Sequence, residues 1–265
     1  MREWPLIVFT LAMQIACGLA VAATAFEVSR GLASAEPMRR LAISIFPLTA
    51  AGIAFSMAHL GRPWAFWRML AGVRRSRLSI EILLTGVFTL LSLAYSGLWW
   101  MDTAGSRAVV GAATSLVGIA AVAAAARVYT VPSQPIWNSG WVSISFVGAS
   151  ALMGGLLPIV TVPWDGNVAV TRTFLAAMAI GALLLFIAAF WMMAKLPKRL
   201  QSSDWCWLGC HVLLATVVPI AAVVHVWAQP HRHMTPFGGL LLVGVLAGIA
   251  AGRGLLYGLA KSEPL

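Results

Sequence analysis

Eight long apolar runs, separated by short polar breaks, constrain this chain more than any other feature of its sequence. Each run is long enough to cross the hydrocarbon core of a bilayer, which takes about 20 apolar residues. Only 10% of the 265 residues are charged, against about 25% in soluble globular proteins. The sequence therefore predicts an integral membrane protein. The predicted spans cover residues 5–29, 39–60, 79–101, 107–130, 138–163, 170–194, 205–227 and 237–260.

We expect every span to be an α-helix. A chain in lipid has to satisfy its backbone hydrogen bonds internally, and continuous apolar runs, unlike alternating ones, exclude a β-barrel. The first run is longer than the apolar core of a signal peptide, so it is interpreted as a span. The predicted fold class is an all-α integral membrane protein, a bundle of eight transmembrane helices that forms a single domain over residues 1–265.

Two shorter features add detail to this bundle. Residues 63–73 place Trp64, Trp67 and Leu70 at helical spacing but are too few to span, so we expect an interfacial segment between the second and third helices. In the last span a glycine recurs every four residues, which permits the close approach of a neighbouring helix. These glycines are Gly244, Gly248 and Gly252.

Rare polar side chains collect at one membrane face. Since the number of spans is even, both chain ends lie on the same face, called the X face below. The second, third, fourth and eighth spans each bring polar groups to that leaflet. An ionisable group at the bilayer centre costs about 2.5–3.5 kcal/mol on insertion scales, so such groups usually pair or line a cavity. The pattern predicts a polar pocket formed by His59, Glu81, Arg127, Tyr129, Arg253 and Tyr257.

Each of these residues also has a structural interpretation. Arg127 and Arg253 could extend to lipid headgroups, and His59 could cap its helix. Glu81 could be a carboxylate favoured by the positive end of the helix dipole. The two tyrosines could belong to an interfacial aromatic belt. Glu81 weighs most against these alternatives taken together, because it lies inside an apolar run that has no need of a carboxylate.

The loop between His59 and Glu81 is rich in arginine. The net charge of the chain is +10, but most basic residues lie in loops beside spans, where lipid headgroups and partner docking explain them better than nucleic acid does. Basic loop residues are more numerous on the X face, which favours a cytoplasmic X face. We expect this loop to dock an acidic protein partner through Arg62, Arg68, Arg74, Arg75 and Arg77.

The sequence predicts no haem, metal or iron–sulfur cluster in this chain. Cys17, Cys206 and Cys210 form no C-x-x-C pattern. The chain also lacks a G-x-S-x-G elbow, an H-E-x-x-H motif and a phosphate loop. A lipophilic redox substrate suits the pocket better. Glu81 or His59 could accept the protons of a quinol, and a docked iron–sulfur subunit would take its electrons.

Four short motifs carry a family resemblance. They are EWPL at residues 3–6, HLG at 59–61 followed by Glu81, RVY at 127–129 and GRGLLYG at 252–258. In this order they resemble the membrane-anchor subunit of dimethyl sulfoxide reductase, the DmsC family. One departure concerns a glutamate that a bacterial member carries shortly before GRG. This chain has Gly248, Ile249, Ala250 and Ala251 there.

The resemblance implies a quinol-oxidising membrane anchor in the bacterial cytoplasmic (inner) membrane. Such an anchor binds menaquinol and passes electrons to a four-cluster ferredoxin-like iron–sulfur subunit, which feeds a molybdopterin catalytic subunit that performs the terminal reduction. The anchor itself is taken to hold no haem. The roles of the family's histidine and glutamate in quinol binding and oxidation fall on His59 and Glu81. Binding roles for Arg127, Tyr129, Arg253 and Tyr257 are inferred from their depth.

Three alternatives stay open from the sequence. Anchors of the polysulfide-reductase type share this plan, with another terminal substrate or reversed electron flow. A proton-coupled transporter would also use buried charges, but it would place polar residues and broken helices near the midplane. A purely structural anchor would explain the basic loop but not Glu81.

Overall fold

The computed structural model describes residues 4–30, 36–59, 68, 72, 75–130, 137–161, 168–196, 201–228 and 235–259. The regular structure in these ranges is helical, and no strand occurs in them. The helices are α1 (Trp4–Arg30), α2 (Glu36–His59), α3 (Arg77–Trp100), α4 (Arg107–Val128), α5 (Gly140–Thr161), α6 (Val168–Met193), α7 (Ser202–Val212), α8 (Val218–Ala228) and α9 (Thr235–Leu259).

The eight predicted spans are confirmed. Eight helical stretches are long and apolar enough to cross a membrane. Their ends lie within three residues of the predicted ones. The seventh span comprises α7 and α8, joined by a π-helical turn, Leu213–Val217. The predicted interfacial segment, residues 63–73, falls outside the described residues except for Arg68 and Gly72.

The helices form two groups of four spans. In the first group α1 packs against α2 and α4, and α3 lies between α2 and α4. In the second group α5 packs against α6 and α9, and the span made of α7 and α8 lies between α6 and α9. The first helix of each group is the most buried of its four spans. These two helices, α1 and α5, contact each other. The central contact of the molecule is therefore the contact between α1 and α5.

Two glycines make this central contact possible. A Cβ atom on Gly18 of α1 would collide with the carbonyl oxygen of Ser150. A Cβ atom on Gly154 of α5 would lie 2.7 Å from the carbonyl oxygen of Gly18. Both contacts would be closer than non-bonded atoms can approach. The obstacle in each case is a backbone atom, which cannot move away as the end of a flexible side chain can. Between membrane helices, where van der Waals packing replaces the hydrophobic effect, such small residues set how closely two backbones approach.

The glycine stripe of the last span also packs as predicted. A Cβ atom on Gly248 of α9 would lie 2.7 Å from the backbone nitrogen of Ala215 in the π-helical turn. One on Gly252 would lie 2.6 Å from Nδ1 of His211. Gly248 thus lets α9 pack directly against the backbone of the seventh span, and Gly252 lets the imidazole of His211 pack against the backbone of α9.

We expect Gly18→Val to destabilise the bundle, because the new side chain has to push α1 and α5 apart. Overpacking a filled interior costs about 1–3 kcal/mol, and a backbone obstacle places the cost at the upper end. Thermal unfolding of the detergent-solubilised protein, followed by size-exclusion chromatography of the heated samples, should show a lower midpoint for this variant.

Gly86→Val in α3 is the matched control. It introduces the same β-branched residue into a helix, but a Cβ atom at this position meets nothing within 4 Å. Its midpoint should stay close to that of the native protein. Equal midpoints for the two variants would contradict the central role given to the α1–α5 contact.

Candidate functional site

Glu81 is a buried carboxyl group at the X face. It lies one turn into α3, four residues after Arg77, and its side chain is 6% exposed. No basic residue in the described part of the chain forms an ion pair with it. It lies near enough to Tyr129 and Tyr257 to interact electrostatically with both hydroxyl groups. A carboxyl group from the first helix group is thus part of the electrostatic environment of two phenols.

The two phenols form a pair that joins the helix groups. The hydroxyl of Tyr257 in α9 donates a hydrogen bond to the hydroxyl of Tyr129, just beyond α4, at 3.1 Å. The Tyr129 ring contacts Trp137 edge-on, with ring centroids 5.6 Å apart. The Trp137 indole in turn donates to the carbonyl oxygen of Leu256 at 2.8 Å. These contacts hold the X-face ends of α4 and α9 together.

The Tyr129 hydroxyl is available as a hydrogen-bond donor at neutral pH. Burial raises the pKa of Tyr129 above the ordinary value for a tyrosine, 10.0, and the proximity of Tyr257 acts in the same direction. The phenol therefore keeps its proton throughout the physiological range. A ligand with an oxygen acceptor in this position could receive a hydrogen bond from it.

Arg253 supplies a positive charge one turn from Tyr257. Its side chain is 3% exposed. One terminal nitrogen donates to Oγ of Ser145 at 3.0 Å, and the other donates to the Ser145 carbonyl at 3.4 Å. The guanidinium carbon lies 3.7 Å from the centroid of the Phe146 ring, a cation–π contact. Within the described ranges no carboxylate pairs with it. The arginine is therefore held in place by a hydroxyl, a carbonyl and an aromatic ring, with no ion pair to a described carboxylate.

Of the six predicted pocket residues, Tyr129 and Tyr257 share a hydrogen bond, Arg253 lies one turn before Tyr257, and Glu81 is buried near the start of α3. Glu81 and Tyr129 come from the first helix group, and Arg253 and Tyr257 come from the second. Arg127 does not join them, because its side chain is exposed. His59 is the last residue of α2, and its side chain lies outside what the structure describes.

The predicted docking arginines are placed only in part. Arg62 and Arg74 fall outside the described residues, whereas Arg68, Arg75 and Arg77 are exposed. Arg77 donates to the carbonyl oxygens of Arg127 and Thr130. It therefore caps the free carbonyl end of α4, a structural role in addition to the predicted one.

A second polar cluster, at the face opposite X, was not predicted from the sequence. Arg107, only 1% exposed, lies 3.5 Å from the carboxylate of Glu27 and 3.4 Å from that of Asp102. Its guanidinium also lies 4.5 Å from the centroid of the Trp99 ring. Beside it, Thr24 shares a hydrogen bond with Ser115 at 3.1 Å. The sequence feature that could have indicated this cluster is Glu27, a carboxylate near the end of the first apolar run.

The described residues offer no group of three or more His, Cys, Asp or Glu side chains that could hold a metal ion. Cys17 is buried, and Cys206 and Cys210 are exposed. The side chains of the X-face group can form hydrogen bonds, accept a proton and stabilise charge.

Comparison with known protein families gives one match. The family described as the DMSO reductase anchor subunit (DmsC) matches residues 1–259, essentially the whole chain. No curated protein sequence matches it. As an anchor subunit, such a chain associates with a catalytic molybdoenzyme complex at the membrane. The eight apolar helices and this match confirm the resemblance carried by the four sequence motifs, and the chain is a multi-pass membrane protein that belongs to the DMSO reductase anchor subunit (DmsC) family.

Proposed function

We propose that the X-face group of Glu81, Tyr129, Arg253 and Tyr257, called the X-face pocket below, oxidises menaquinol. The observation that supports the proposal is a buried carboxyl group that acts electrostatically on two hydrogen-bonded phenols, one turn from an arginine that has no acidic partner among the described residues. Buried ionisable groups inside a membrane protein usually serve a substrate or proton pathway. Membership in the anchor family supports a quinol as that substrate.

Oxidation of a quinol to a quinone releases two protons and two electrons. Glu81 accepts one proton, and His59, at the end of α2, accepts or hydrogen-bonds the other. The electrons leave to a four-cluster ferredoxin-like iron–sulfur subunit, which feeds the molybdopterin catalytic subunit of the complex. Since this chain performs only the quinol half of the reaction, it is an electron-supplying anchor in the bacterial cytoplasmic membrane.

The other members of the pocket act on the headgroup. The hydroxyl groups of Tyr129 and Tyr257 are placed to hydrogen-bond a quinol oxygen. Arg253 stabilises the negative charge that develops when the quinol loses its first proton, because a fixed cation in a site of low dielectric interacts strongly with a nearby anion. Ser145 and the Phe146 ring hold the guanidinium in position before the substrate arrives.

The iron–sulfur subunit docks on the X face. The exposed Arg68 and Arg75 lie in the sequence between α2 and α3, and the exposed Arg77 is the first residue of α3, the helix that carries Glu81. Complementary charge on the partner would steer association and fix its orientation. Together with Arg62 and Arg74, these arginines would bring an iron–sulfur cluster close to the X-face pocket.

We expect Glu81→Gln to abolish most quinol oxidation while the complex still assembles. Glutamine keeps the size and hydrogen-bonding capacity of the side chain but cannot accept a proton. Loss of a positioned base lowers rates by about 10²–10⁴-fold. The measurement is turnover of the purified complex with a water-soluble menaquinol analogue, beside turnover with an artificial electron donor that reduces the catalytic subunit directly.

The control is Glu36→Gln, which removes an exposed carboxylate at the opposite end of the membrane. Its quinol turnover should match that of the native complex. Normal quinol turnover by Glu81→Gln would exclude Glu81 as the proton acceptor. Equal losses with both electron donors would indicate damage to assembly instead.

Tyr257→Phe should weaken quinol binding more than it slows electron transfer. The variant loses the hydroxyl group proposed to hydrogen-bond the quinol oxygen, and a hydrogen bond of this kind contributes about 0.5–1.5 kcal/mol. The KM for quinol should therefore rise by about threefold to tenfold. Tyr95→Phe is the matched control, because Tyr95 is a buried tyrosine in the cluster at the opposite face. An equal rise in KM for both variants would contradict the assignment of Tyr257.

A further inference from the structure

A small cavity lies behind Arg253, inside the second helix group. Four helices line it: α5 through Ser145, α6 through Leu185 and Met192, α7 through His211, and α9 through Arg253. About 10 Å³ of it is open to the centre of a water molecule, which is room for about one water. The wall is mostly apolar, so the few polar groups decide what occupies it.

His211 presents one ring nitrogen as an acceptor. Its Nδ1 lies 2.8 Å from the carbonyl oxygen of Gly248. A carbonyl oxygen only accepts, so Nδ1 carries the hydrogen. In the neutral imidazole, Nε2 is then left with a lone pair. The close contact of Gly252 with the ring fixes its orientation, and the π-helical turn that begins two residues later is seated on Gly248.

Arg253 presents a donor. Its two terminal nitrogens bond to Ser145, but no described residue accepts a hydrogen bond from Nε, which is buried. The Ser145 hydroxyl accepts from Arg253 and donates to the carbonyl of Val142. An unpartnered buried donor on a charged group is costly. Arg253 lines the cavity, and its terminal nitrogens, which each carry a second hydrogen, can donate to an occupant there.

We propose that this cavity binds one water molecule that bridges Arg253 and Nε2 of His211. Water is the small ligand that accepts from the guanidinium and donates to the imidazole at the same time. A halide ion could accept a hydrogen bond from the arginine, but it could not donate one to the lone pair of Nε2. The size of the cavity and the presence of an acceptor, Nε2 of His211, in its wall thus favour water over an anion.

The bridge makes His211 a positioning residue for the X-face pocket, a role that rests on the proposed function. Arg253 lies one helical turn from Tyr257, and its charge acts on both tyrosines of the pocket. The water bridge from His211 fixes the position of the Arg253 guanidinium. Its positive charge then stays next to the place where the headgroup is proposed to bind. A quinol would then meet an arginine that is ordered before it binds.

The direct test is a crystal structure of the complex grown in bromide instead of chloride, with anomalous data at the bromine edge. We expect an ordered water within hydrogen-bond distance of the Arg253 guanidinium and of Nε2 of His211, with no anomalous peak. An anomalous peak in the cavity would replace the water bridge with an anion site and overturn the proposal. A cavity without density would overturn it as well.

Three variants of His211 test the positioning role. His211→Gln can bring an amide oxygen near the position of Nε2, whereas His211→Asn can keep the bond to Gly248 but does not reach the cavity, and His211→Phe keeps only the ring shape. We expect kcat/KM for quinol to fall by about threefold to tenfold in the Asn and Phe variants and to stay within about twofold in the Gln variant. Cys210→Ser, at the exposed neighbouring residue, is the control.

The pattern among these variants separates positioning from stability. If all three lose activity in proportion to their thermal midpoints, His211 is structural and the positioning role is wrong. Failure of the proposed function looks different, because Glu81→Gln would then turn over quinol normally whatever occupies the cavity. The opposite result is also possible: quinol turnover is impaired in Glu81→Gln, but kcat/KM is native in His211→Asn and His211→Phe. That result would support the quinol site and would contradict the positioning role of His211.

Discussion

The backbone contact between α1 and α5 is the constraint on which the rest of the structure depends. Gly18 and Gly154 let the central helices of the two groups approach until backbone meets backbone. This contact sets the distance between the groups, and the X-face pocket is built across that boundary. Tyr129 comes from one group and Tyr257 from the other, and their hydrogen bond forms only if the groups are closely apposed. Packing by small residues at the centre of the membrane is therefore linked to the placement of polar groups at its edge.

The buried charged groups at the two membrane faces differ in whether they form ion pairs. At the opposite face, Arg107 lies between the carboxylates of Glu27 and Asp102, so its charge is compensated within the protein. A buried ion pair of this kind fixes geometry more than it adds stability. At the X face, Glu81 and Arg253 are buried without forming an ion pair with any described residue. Uncompensated charge in a membrane interior is expensive, and this difference is the physical reason for assigning the substrate to the X face.

The sequence was sufficient for the eight apolar helices, because long apolar runs are local signals. It could not show which way a side chain faces on a helix that is apolar all round. Arg127 lies in an alanine-rich stretch with little facial asymmetry, and its side chain proved to be exposed. Pairing between distant residues was also beyond the sequence. The contact of Glu27 with Arg107 joins α1 to α4, and the bond of His211 to Gly248 joins α7 to α9, so both depend on tertiary packing.

The most direct test of the proposed quinol site is a structure of the assembled complex with a quinol-site inhibitor bound. We expect the headgroup of the inhibitor at the X face, with one oxygen within hydrogen-bond distance of Glu81 and another near the hydroxyl groups of Tyr129 and Tyr257. A headgroup bound at the opposite face, beside Arg107, would contradict the assignment. So would an inhibitor that occupies the X face without approaching Glu81.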